Sequence, residues 1–70
     1  MEFKANDYKP NETLKFIRQC TGLTQKELAQ KIDKSKNWVK SNEQGITRYY
    51  FEDLLKIANL HDIEIKIIKK

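Results

Sequence analysis

Residues 24–45, TQKELAQKIDKSKNWVKSNEQG, read as two short helices joined by a tight turn, and the rest of the chain is arranged around that pair. Thr24 with Glu27 three residues later is a capping box, in which each side chain satisfies the other residue's backbone N–H, so a helix starts there. Leu28, Ala29 and Ile32 then recur on one helical face while Lys26, Gln30 and Lys31 point away. Asp33, Lys34 and Ser35 interrupt this pattern. Asp and Ser side chains bond nearby backbone, and Asp tolerates a left-handed turn position. Ser35 is placed to cap a second helix running to about Glu43, and Gly45 to end it. Ala29 is small enough to let the two helices approach. Such a pair suits DNA for a geometric reason: the first helix bridges the backbone while the second presents its N-terminal side chains to base edges in the major groove.

Working outward, residues 1–9 alternate imperfectly, with Phe3 and Ala5 on one side, and read as a short strand or an arm. Pro10 and Asn11 mark a boundary, because Pro fits a helix start but cannot continue a strand ladder. Leu14, Phe16, Ile17 and Cys20 cover one arc of a first helix that ends at Gly22. After Gly45, residues 46–50 form a loop with one basic and two aromatic residues, leading into a fourth helix over about residues 50–60. Phe51, Leu54, Leu55 and Ala58 form its core face, with Glu52, Asp53 and Lys56 toward water. In residues 62–70, Ile63, Ile65 and Ile67 share one face opposite mostly charged residues, the pattern of a strand. A lone strand is not stable, so it needs the N-terminal segment, a second copy of the chain, or both.

Composition narrows the function classes. Seventy residues allow one domain with one small core, residues 1–70. The single cysteine excludes an internal disulfide, and Cys20 reads as a small core residue rather than a reactive thiol. With one His, one Cys, no glycine-rich loop and no paired carboxylates, the chain lacks the parts of a nucleophile, base or metal site, so neither an enzyme nor a cofactor is expected. His61 reads as a helix terminator or surface residue. No apolar stretch is long enough to span a bilayer, and MEFKANDYKP has no signal-peptide core, so a cytoplasmic location without membrane contact is expected. The net charge is +4 with a pI near 9.3. Residues 31–40 hold Lys31, Lys34, Lys36 and Lys40 against Asp33, a net +3 of that +4. Those lysines read either as a solvated helix face or as phosphate contacts.

Arg18, Gly22-Leu23-Thr24-Gln25, Glu27-Leu28-Ala29, Ser35, Val39 and Glu43-x-Gly45 together resemble the lambda-repressor-like (Cro/cI, XRE) helix-turn-helix DNA-binding family over residues 11–60. The family usually has Gly and an apolar residue where this chain has Asp33-Lys34, and an apolar residue where it has Asn42. The resemblance implies a mainly α, four-helix domain. A fifth helix is commoner in the family. The C-terminal strand is similar to the Cro arrangement, in which the last strand makes a homodimer; pairing within the chain to Phe3 and Ala5 is the other arrangement. It also implies that an arginine at Arg18 pairs with Glu43, clipping the first helix to the end of the third. A surface arginine near DNA is the plainer reading of Arg18.

By the same resemblance Lys36, Asn37, Lys40 and Ser41 face the bases. Lysine suits the guanine O6 and N7 acceptors, and asparagine can pair with adenine. Gln25, Ser35, Trp38, Arg48 and Tyr49 are the expected phosphate contacts, with Tyr50 the alternative to Tyr49. Trp38 reads equally well as packed against the loop at residues 48–50. The partner implied is an operator in double-stranded DNA, an inverted repeat with half-sites about 34 Å apart if two copies bind. The function expected is that of a bacterial or phage-type transcriptional repressor. Two other readings stand beside it. One is an antitoxin-like module that masks a protein partner and binds DNA only to regulate its own synthesis; the other is RNA binding, for which no stacking surface is evident.

Overall fold

The computed structural model describes residues 4–69. A single 3-10 turn, Ala5–Asp7, precedes four helices: α1, Pro10–Thr21; α2, Gln25–Lys31; α3, Lys36–Glu43; and α4, Phe51–Leu60. Each boundary has a local chemical cause. Pro10 opens α1, where its missing N–H is not needed, and Glu12 Oε1 accepts from the Lys9 backbone N–H at 2.8 Å. Gly22, at φ 74°, closes it in the left-handed conformation that side chains disfavour. Thr24 and Glu27 form the full capping box at α2: the Glu27 N–H donates to Thr24 Oγ1 at 3.1 Å and the Thr24 N–H donates to Glu27 Oε1 at 2.9 Å. Ser35 Oγ accepts from the Trp38 N–H at 3.0 Å and caps α3.

The turn between α2 and α3 rests on Asp33, which sits at φ 56°. That left-handed residue folds the chain back so that the Lys34 N–H reaches the Ala29 carbonyl at 2.9 Å. Lys56, on α4, adds a donor from outside. Its Nζ lies 3.4 Å from the Ile32 carbonyl, a cation at the C-terminal end of α2 where the helix dipole favours it.

Leu14, Ile17, Leu28, Ala29, Ile32, Val39, Leu54 and Ile57 form one core, with α3 packed on both α1 and α2. Burying each of the larger aliphatic side chains contributes about 1.5–3 kcal/mol, and there are few of them, so every one matters in a domain this small. The buried face of α4 is Leu54, Ile57 and Ala58, whereas Phe51 and Leu55 are exposed. The expected Phe51 and Leu55 positions are thus corrected to Ile57. Apolar residues stand on several sides of this helix, and its phase is chosen by what it packs on. Cys20 is likewise exposed rather than core. The buried stripe of α1 ends at Ile17, and on the last turn the half-buried positions are Arg18 and Thr21.

No strand occurs among the described residues. Phe3 lies outside them, and Ala5 belongs to a 3-10 turn, so Ala5 offers no edge for pairing. Asp62, at φ 53°, turns the chain out of α4, and the Ile63 N–H returns to the Ala58 carbonyl at 2.9 Å. Beyond it Ile63 and Ile65 are half-buried against the core while Glu64 and Lys66 are exposed. The period-2 alternation read from the sequence is therefore present from Ile63 to Lys66 but not at Ile67, which is 94% exposed, and the ladder a strand requires is missing among the described residues. A lone segment has no edge to bond.

Candidate nucleic-acid interface

Helix α3 is held by its inner face. Val39, Asn42 and Glu43 are buried there. Glu43 accepts from Arg18 Nε at 2.6 Å, from the second Arg18 terminal nitrogen at 3.0 Å and from Gln25 Nε2 at 3.3 Å. The remaining terminal nitrogen of Arg18 donates to the Leu23 carbonyl at 2.8 Å. One guanidinium thereby joins α1, the entry to α2 and the end of α3, using the fork geometry that a lysine lacks. Asn11 adds a second tie, its Nδ2 donating to the Glu43 carbonyl at 3.2 Å. Nothing in the sequence marked Asn11 for this, because its partner lies far along the chain.

The outer face carries Lys36, Asn37 and Lys40, all exposed, with Ser41 half-buried beside them. No acidic residue occupies the first turn of α3. Three donors of different reach therefore stand on one side of a short rigid helix whose other side is fixed. Ser35 is exposed at the N-terminus; its oxygen accepts from Trp38 N–H, which leaves the hydroxyl proton free to donate outward. Trp38 is half-buried and packs on the core, with Lys34 Nζ 5.2 Å from its ring centre. The ring thus supports a lysine at the edge of the face as well as packing inward.

Other expected contact residues are placed differently. The Gln25 side chain donates one amide N–H to Glu43, which leaves its second amide N–H and its backbone N–H at the start of α2. Tyr49 gives its hydroxyl proton to the Pro10 carbonyl at 2.7 Å, tying the loop to the start of α1, and partial burial raises its pKa above the ordinary tyrosine value. Tyr50 is 76% exposed, and its neighbour Arg48 is exposed too. The available phenol in this loop is therefore Tyr50.

Among the described residues no group of three or more His, Cys, Asp or Glu is placed to hold a metal ion. No helix among them is long and apolar enough to cross a membrane. Comparison of the chain with protein-family models and with curated proteins gives no match.

Proposed function

We propose that the chain is a sequence-specific double-stranded DNA-binding regulator of the lambda-repressor-like helix-turn-helix type, and that α3 is its recognition helix. The observation that carries this reading is the two-sidedness of α3: Lys36, Asn37 and Lys40 are exposed on one side, while Val39, Asn42 and the Arg18–Glu43 pair lock the other to the body. Direct reading of base edges needs such a rigid presentation, since a bidentate contact loses its discrimination when the side chain's origin is loose. In this proposal Lys36, Asn37, Lys40 and Ser41 meet bases. Ser35, the Gln25 backbone N–H, Arg48 and Tyr50 hold phosphates, with Lys34 over Trp38 at the margin. Phosphate contacts supply affinity and position, and base contacts supply sequence.

The chain acts as a homodimer through its C-terminal segment, in the cytoplasm of a bacterium or on behalf of a phage, and represses by occupying a promoter. It performs no catalysis. Two recognition helices one helical turn apart then require an inverted-repeat operator with half-sites about 34 Å apart. Selection from a random duplex DNA pool, followed by titration of the enriched site at several salt concentrations, tests this. An inverted repeat with that spacing is the expected result. A single half-site would keep the reader and remove the dimer. Weak, salt-sensitive binding with no enriched sequence would overturn DNA reading and leave a protein-interaction module in its place.

A further inference from the structure

The outer face of α3 has two flanks, and only one of them carries lysines of the helix itself. At about 100° of rotation per residue, Trp38 lies about 200° from both Lys36 and Lys40, so it stands on the flank that those two do not reach. That flank gets its charge from elsewhere. Lys34, in the turn between α2 and α3, sets its Nζ 5.2 Å from the centre of the Trp38 ring. Both residues are fixed at the backbone. The Lys34 N–H donates to the Ala29 carbonyl at 2.9 Å, directly after the left-handed Asp33. The Trp38 N–H donates to Ser35 Oγ at 3.0 Å, its carbonyl accepts from Asn42 Nδ2 at 2.7 Å, and its ring is half-buried against the core. Among the described residues neither Lys36 nor Lys40 has a hydrogen bond, ion pair or ring contact to hold its ammonium.

We infer that Trp38 is a positioning residue: its ring holds the Lys34 ammonium toward a DNA phosphate at the edge of the major groove, and it serves binding through that lysine rather than by touching DNA. The inference rests on the DNA reading proposed above and supplies the cation for the second flank of α3. A duplex groove is bordered by a phosphate backbone on each side, so a helix seated in it gains from positive charge on both. An ammonium attracted to an aromatic face keeps its other N–H groups free to donate outward. A loose lysine gives up rotamer freedom when it meets a phosphate, whereas Lys34 has already given up part of it in the free chain. Phosphates carry no sequence, so the ring and lysine together add affinity on every duplex alike.

Titration of the selected operator and of an unrelated duplex of equal length, each at several salt concentrations, provides the test. The variants are Lys34→Ala, Trp38→Leu, Trp38→Tyr and the double variant with Lys34→Ala and Trp38→Leu. Lys34→Ala should weaken binding to both duplexes alike and lower the slope of log affinity against log salt by about 1 per bound chain. Trp38→Leu should weaken both about two- to fivefold, and Trp38→Tyr, which keeps an aromatic face, should bind nearly as the wild type does. Once Lys34 is alanine, Trp38→Leu should cost nothing further. Trp38 is the chain's one tryptophan, so a changed emission in free Lys34→Ala reports the ring contact itself. Lys34 is exposed, and its removal leaves the core intact; circular dichroism checks that each Trp38 variant keeps its helices. If Trp38→Leu unfolds, the slope and emission of Lys34→Ala decide alone. A Trp38→Leu loss that persists without Lys34 makes the ring a packing residue only and overturns the inference, as does an unchanged slope or emission in Lys34→Ala. A folded wild-type chain that binds no duplex overturns the DNA reading and this inference with it.

Discussion

Glu43 draws three hydrogen-bond donors to one carboxylate whose side chain keeps only 4% of its surface in water. If Arg18 is removed, that charge is left with Gln25 alone. Breaking one side of such a buried pair typically costs about 3–5 kcal/mol, because the remaining charge cannot be rehydrated without opening the fold. Arg18→Ala is accordingly expected to lower the melting temperature sharply, measured by circular dichroism; an unchanged melt would mean the clip adds no stability. Asn42, one residue away, pulls in the other direction. It is 1% exposed, its Nδ2 donates to the Trp38 carbonyl at 2.7 Å, and its Oδ1 is buried with no hydrogen-bond partner. Leucine has nearly the same shape and no polar atom to strand. Asn42→Leu should raise stability by about 1–3 kcal/mol, the usual penalty for an unsatisfied buried group, visible as a higher denaturant midpoint with an unchanged slope. A lower midpoint would show that Asn42 is needed for the α3 geometry.

The helices differ in how far local chemistry alone determines them. Helices α2 and α3 were legible because their signals sit within four residues of their effects: Thr24 with Glu27, Asp33 in the turn, Ser35 before Trp38. The buried face of α4 was not, since Phe51, Leu54, Leu55, Ile57, Ala58 and Leu60 supply more apolar positions than one face can hold, and the packing partner decides among them. Cys20 failed for the same reason at the end of α1. The Arg18–Glu43 pair joins residues 25 apart, a distance over which spacing says nothing; only the family resemblance brought them together. The candidate contact face divides likewise. The positions of Lys36, Asn37 and Lys40 follow from helix phase, whereas which of Tyr49 and Tyr50 keeps an exposed phenol depends on a hydrogen bond to Pro10, far along the chain. The α2 cap also sets a pH dependence. Hydrogen bonds from the Thr24 backbone and side chain hold the Glu27 carboxyl below its ordinary value. A group whose folded pKa is depressed contributes its stability above the unfolded value, about 4.5, and loses it as the pH falls through the lower folded value. Glu27→Gln should therefore show a shallower fall in melting temperature on the acid side than the wild type. Parallel acid profiles would indicate that the cap is no stronger in the folded chain than outside it.

At the scale of the whole molecule, charge and shape have separate jobs in the proposed complex. Residues 31–40 carry a net +3 of the chain's +4, whereas in residues 51–70 Glu52, Asp53, Asp62 and Glu64 are balanced by Lys56, Lys66, Lys69 and Lys70. A polyanion approaching this charge distribution is drawn toward the turn and α3 before any base is read. The two kinds of contact should then separate under salt. Arg48, exposed in the loop before α4, is assigned to the backbone, so Arg48→Ala should weaken binding equally on all sequences and reduce the slope of log affinity against log salt by about 1. Lys36, on the outer face of α3, is assigned to a base, so Lys36→Ala should weaken binding to the selected operator by about 1–3 kcal/mol and relax the preference at one position of each half-site. Neither side chain is buried, so neither substitution should move the melting temperature much, and that separates loss of contact from loss of fold. If Lys36→Ala weakened all sequences alike while Arg48→Ala changed the base preference, the loop would be the reading element and α3 the anchor. The Arg18–Glu43 clip would then be holding the anchor, and the rigidity of α3 would serve position instead of sequence.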